Sequence, residues 1–142
     1  MKKVASVAVL VLLAGCSPGT SRPGPTIEPP PEQLVSTQAG VVRGVTQDGV
    51  ARFLGIPYAA PPVGALRWRA PEPPVTWAGT RPATAFGSPC VQSDKLEGPG
   101  SEDCLFLNVW SPEVGATTPR PVMVYVHGGG WARGAGNMSV FD

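Results

Sequence analysis

An α/β architecture, in which a small antiparallel hairpin leads into the first strands of a larger sheet, is predicted by three stretches of the chain. "GVVRGVTQDGVARFLGIPYA", residues 40–59, runs in short apolar alternations on either side of Asp48-Gly49. Asp-Gly readily adopts the positive φ angles that a tight hairpin turn demands. "CLFLNVW", residues 104–110, reads as a further strand. "VMVYV", residues 122–126, has no polar interruption except Tyr125, which is the pattern of a strand buried on both faces in a sheet covered by helices.

The connections are as informative as the strands. In "APPVGALRWRAPEPPVTW", residues 60–77, the prolines forbid a long helix or a central strand. An ordered loop is expected there, pinned by Trp68 and Trp77. "SPEVGATTPR", residues 111–120, is a turn-rich link between the last two strands. No internal repeat is present.

A length of 142 residues with 42% hydrophobic content suits one modest globular domain, yet the averages blend unlike segments. Lys2 and Lys3 precede an apolar run over residues 4–13, too short to span a bilayer and suited to the core of an export signal. The run ends in "LAGC", residues 13–16, which resembles a bacterial lipoprotein signal: small residues admit the peptidase and the Cys16 thiol takes the lipid. A buried helix is the alternative, disfavoured by the agreement of position, charge order and cleavage site. Residues 1–15 are therefore expected to be removed, leaving Cys16 at a membrane surface, on the outer face of a bacterial cell membrane or on the outer membrane. Their removal changes the balance from 11 basic against 10 acidic residues to 9 against 10, which offers no basic patch for nucleic acid. Six of the fifteen residues 17–31 are proline, so residues 16–33 read as lipid anchor and extended tether, and residues 34–142 as the domain.

With Cys16 committed to lipid, Cys90 and Cys104 remain. An exported domain with two remaining cysteines favours one disulfide over two buried thiols, and closing such a loop stabilises by about 3 kcal/mol in the chain-entropy treatment. One histidine and two separated cysteines do not make a zinc site. No metal or cofactor is expected.

After "VMVYV" come the only histidine, three glycines and a tryptophan, His127 to Trp131. Glycine lets the chain turn tightly and lets a ligand approach the backbone. Unshielded N–H groups so placed can stabilise the oxyanion of acyl transfer, at about 3 kcal/mol of barrier for a preorganised donor. A glycine-rich turn without chemistry is the competing reading of such a string taken alone. His127 is expected to orient the loop rather than to act as a base.

The surrounding stretches shift that balance. "SEDCLFLNVW", residues 101–110, resembles the second signature of the type-B carboxylesterase family, the cholinesterase-like branch of the α/β-hydrolases. "FLGIPYAAPPVGALRWRAPEP", residues 53–73, is similar to that family's amino-terminal region, and "VMVYVHGGGWARGAGN", residues 122–137, to its oxyanion strand and loop. Together, in the family's order, they span nearly all of residues 38–142. The resemblance implies an α/β-hydrolase fold, a small-molecule ester as substrate, and oxyanion donors at Gly129 and Gly130 with Gly128 supporting the turn. It places Cys90 and Cys104 on the family's amino-terminal disulfide, Arg67 and Glu102 on a structural salt bridge, and Trp131 near the active-site gorge.

One departure matters. The family's nucleophile sits in a Gly-x-Ser-x-Gly elbow, and Ser88, Ser93, Ser101, Ser111 and Ser139 all have other neighbours. The nucleophile, the acidic partner and the triad histidine are expected beyond Asp142, so the chain reads as the truncated amino-terminal part of an esterase, inactive as it stands. A cholinesterase-like protein that uses the fold for binding or adhesion is the alternative; the intact glycine triplet favours the esterase. The lipid anchor has its own test: Cys16→Ala should move the protein out of the membrane fraction and abolish palmitate labelling in a lipoprotein-processing host, whereas a wild type that never labels would remove the anchor.

Overall fold

The computed structural model describes residues 28–93, 99–138 and 140. The predicted leader, Cys16 and most of the predicted tether lie outside the described residues. The fold begins with β1 (Glu32–Ser36), β2 (Val41–Gln47) and β3 (Val50–Pro57), continues through β4 (Thr80–Pro82), and ends with β5 (Phe106–Ser111). β1 starts two residues ahead of the expected boundary at Leu34: Pro31, though at the tail of the proline run, uses its carbonyl to accept the Thr46 N–H at 2.8 Å.

The hairpin forms where the sequence predicts it. Gln47 pairs with Val50 across a two-residue turn, with Asp48 at φ 50° and Gly49 at φ 78°. Two successive positive φ angles match the twist of the flanking strands. In β2 and β3 alternate residues point inward, so Val42, Ala51 and Phe53 become the core together with Ala83, and Val35, Ile56, Trp77 and Val114 pack around them.

The sheet runs β1-β2-β3-β5, with β4 laid against β2. β2 and β3 pair only from Val45 to Gln47 and then diverge. β4 fills the gap, parallel to β2 from Val41 to Arg43. The Ala83 N–H then donates to the Arg43 carbonyl at 2.8 Å, and the Ala83 carbonyl accepts from Leu54 N–H at 2.8 Å. A strand of three residues ending in proline carries no period to detect, which is why it escapes sequence analysis.

Trp77 pins the proline-rich loop as expected. Its indole N–H donates to the Val41 carbonyl at 2.8 Å, and its own N–H reaches the Ala39 carbonyl at 2.9 Å. Trp68 does not: it is 94% exposed, at φ 58°, with the Arg67 guanidinium 5.9 Å from its ring centre. A single turn of 3-10 helix, Gly64–Leu66, is all the helix in the loop.

The larger correction concerns residues 122–126. They join no strand, and Val122, Met123, Val124 and Val126 are more than four-fifths exposed. Apolar composition supplies a face to bury, but a strand exists only as one member of a ladder, and no described strand lies beside this segment. α-Helices, too, are absent among the described residues.

Val42 is the largest fully buried side chain among the described residues. Val42→Ala removes two buried carbon groups and should cost about 2 kcal/mol, seen as a lower denaturant midpoint at unchanged slope. A loss under about 0.5 kcal/mol, the range of surface substitutions, would show that the cluster is not the core.

Candidate functional site

The glycine triplet opens a tight turn. The Gly129 carbonyl accepts from the N–H groups of Ala132 at 3.2 Å and Arg133 at 3.3 Å, with Gly129 at φ 138°, Gly130 at φ 62° and Trp131 at φ 56°. A Cβ on Gly129 would stand 1.7 Å from the Arg133 carbonyl oxygen, so no other residue can occupy this position in this conformation. The turn consumes the Gly129 carbonyl. It leaves the N–H groups of Gly129 and Gly130 without a hydrogen-bond partner among the described residues. Nδ1 of His127 lies 2.9 Å from the Gly128 carbonyl, which suits a ring that holds the loop. Trp131 is fully exposed and touches no described ring.

Two amide side chains tie this loop to the sheet, and sequence analysis singled out neither. Between Phe53 and Ile56 the β3–β5 ladder slips, and Gly55 there adopts φ 68°, which turns its N–H out of the regular pairing. Asn108 on β5 captures it, accepting the Gly55 N–H at 2.9 Å while its own amide donates to the Gly136 carbonyl at 3.1 Å. Gln92 makes a second tie. Its Oε1 accepts the Gly134 N–H at 2.7 Å, and its Nε2 donates to the carbonyls of Gly134 at 3.3 Å and Cys90 at 3.2 Å. Asn and Gln can do this because each side chain carries a donor and an acceptor side by side. The only signal in the sequence was the asparagine inside an otherwise apolar strand.

Cys90 and Cys104 are joined in a disulfide, their Cα atoms 5.0 Å apart. Beside it the Ser101 N–H donates to the Pro89 carbonyl at 2.8 Å. The structure also brings Arg67 to Glu102, at 2.9 Å with both side chains about half exposed. An ion pair so wet contributes about 0–1 kcal/mol, enough to register the loop and too little to hold it. Among the described residues no cluster of three or more His, Cys, Asp or Glu could hold a metal ion.

A sequence model of the carboxylesterase family matches residues 31–142. The chain belongs to the carboxylesterase family. It is 49% identical over 117 residues to a fumonisin B1 esterase of Sphingopyxis macrogoltabida, a match covering 79% of this chain and 22% of the relative. To the para-nitrobenzyl esterase of Bacillus subtilis (strain 168) it is 47% identical, over 78% of this chain and 24% of that one. An acetylcholinesterase of Bungarus fasciatus is 40% identical over 78% of this chain and 21% of its own length. A solved PNB esterase superposes with a TM-score of 0.72 at 46% identity, over 78% of this chain and 23% of that chain. The fold is therefore that of an α/β-hydrolase, and the chain spans under a quarter of the length of these relatives.

One string of the nucleophile-elbow form does occur in the chain, GCSPG at residues 15–19. It lies outside the described residues, across the predicted cleavage site. An elbow needs a strand before its serine and a helix after it, and Pro18, Pro23 and Pro25 oppose a helix. Ser88 lies in irregular backbone, Ser101 in an isolated bridge to Cys90 and Ser111 at the end of β5, and Ser101 and Ser111 spend their hydroxyls on local backbone. Peptide mapping of the protein under non-reducing conditions should recover Cys90 linked to Cys104; alkylatable thiols at both positions would contradict the pairing.

Proposed function

We propose that this chain is the amino-terminal part of a serine carboxylesterase and that the N–H groups of Gly129 and Gly130 form its oxyanion hole, with Gly128 supporting the turn. One observation carries the reading. The loop spends hydrogen bonds on its Gly129 carbonyl and on its far end at Gly134, while the N–H groups of Gly129 and Gly130 have no hydrogen-bond partner among the described residues. Gly129 and Gly130 are exposed, so these two N–H groups face solvent, where the oxygen of an incoming ligand can replace water as their acceptor.

The chemistry follows from where charge develops. A serine oxygen attacking an ester carbonyl forms a C–O bond as the carbonyl π pair moves onto oxygen. Donors fixed in advance hold that oxyanion without reorganising. Collapse of the intermediate expels the alcohol, which takes a proton from the general acid, and water then releases the carboxylic acid by the same route. The described residues supply the donors; nucleophile, base and acidic partner belong to sequence downstream. The substrate is a small-molecule ester, no cofactor is needed, and Cys16 would hold the enzyme at the outer surface of a bacterial membrane through its lipid.

The test uses the chain extended through its downstream triad. It should hydrolyse short-chain nitrophenyl esters and be silenced by a serine-directed organophosphate, and residues 17–142 alone should show no turnover. Gly129→Ala, which the Arg133 carbonyl forbids in this conformation, should lower kcat by about 100- to 1,000-fold, the usual effect of losing an oxyanion donor. KM should change little, because the interaction is made only in the transition state. Wild-type kcat in that variant would refute the assignment.

A further inference from the structure

We propose that Gln92 is a positioning residue for the oxyanion loop, hanging the loop from the disulfide-closed segment through a paired set of hydrogen bonds to Gly134. The proposal rests on the reading of Gly129 and Gly130 as oxyanion donors.

The geometry is that of a strand pairing made by a side chain. The Gln92 amide both accepts from the Gly134 N–H at 2.7 Å and donates to the Gly134 carbonyl at 3.3 Å. It therefore fixes the orientation of that peptide as well as its place. The tie is half-buried and joins residues 42 apart in sequence, so it is a tertiary bond and not a turn. Partial burial strengthens it relative to a solvated bond.

Both ends of the tie are firmly connected. On one side the Gln92 amide also reaches the Cys90 carbonyl at 3.2 Å. Cys90 is bonded to Cys104, whose carbonyl accepts the Phe106 N–H at 3.0 Å at the start of β5. On the other side Gly134 sits at φ 103°, packed so closely that a Cβ there would lie 2.4 Å from the Gly128 carbonyl oxygen and 2.7 Å from Nδ1 of His127. A shift of Gly134 is thus a shift of residues 127–128, and the Gly129 and Gly130 N–H groups follow. Catalytic donors must be held to about 0.5 Å, and a misplacement of about 1 Å can cost on the order of 100-fold.

Gln92→Glu makes the decisive variant, because a carboxylate keeps the acceptor for Gly134 and loses the donor that faces two carbonyl oxygens. Protonation restores an O–H donor. In the extended enzyme, Gln92→Ala should lower kcat by about 10- to 100-fold with KM nearly unchanged. Gln92→Glu should match it at pH 8 and recover toward wild type as pH falls to about 5, where a carboxyl facing carbonyl oxygens is protonated. Rates are taken as ratios to wild type at each pH, so that protonation changes common to both proteins cancel; the titratable and charged side chains beside the tie are His127 and Arg133. A merely structural glutamine would lower thermal stability and leave that ratio flat with pH. A flat ratio, or Gln92→Ala with wild-type kcat, overturns the proposal. Amide exchange at Gly134 is read in the same proteins and needs no turnover. Faster exchange in Gln92→Ala supports the tie even if the wild type hydrolyses no ester, in which case the esterase reading alone fails; unchanged exchange overturns the tie whatever the activity.

Discussion

Between Phe53 and Ile56 the pairing of β3 with β5 slips by a bulge, and the consequences of that slip reach from the core to the glycine loop. On one side of it Ala51 and Phe53 alternate into the core; at Leu54 the alternation breaks and two successive residues are buried. Leu54 then turns to Ala83, so the bulge is also where the short strand β4 is locked in. Gly55, displaced from the ladder, hands its N–H to Asn108, and Asn108 carries the connection out to Gly136. A bulge re-aims a side chain and bends its strand. Here it converts a strand residue into a bracket for the loop that carries the candidate chemistry.

The loop has little apolar packing of its own; of its residues only Ala135 is buried. It is held instead by directional contacts, at Gly134 through Gln92 and at Gly136 through Asn108. Such an arrangement sets backbone direction more closely than apolar burial, which is non-directional. Neither contact engages the N–H groups of Gly129 and Gly130. The disulfide belongs to the same scheme, since it anchors the segment from which Gln92 reaches across. The half-exposed Arg67–Glu102 pair lies at its edge.

Residues 122–126 show the limit of composition as a guide. Their apolar side chains are largely in water, because hydrophobic pattern expresses a demand for burial and not its satisfaction. Exposed apolar backbone of this kind pairs with whatever strand edge it meets, and a patch of such side chains marks a surface made to be covered. In the carboxylesterase relatives, more than three-quarters of the chain lies outside the matched portion.

By itself the sequence determined the features whose causes are local. Asp48-Gly49 specified a turn because its residues tolerate positive φ, alternation specified the inward faces of β2 and β3, and the His-Gly-Gly-Gly string with "SEDCLFLNVW" specified the family. Tertiary structure alone decided which segments had partners. β4 became a strand because β2 and β3 diverge and leave room, Trp68 was left in solvent while Trp77 found the Val41 carbonyl, and residues 122–126 stayed outside any sheet. It also decided the roles of Gln92 and Asn108, whose hydrogen bonds span 42 and 28 residues of sequence. No window along the chain contains both ends of such a bond, so only the folded backbone could bring donor and acceptor within reach.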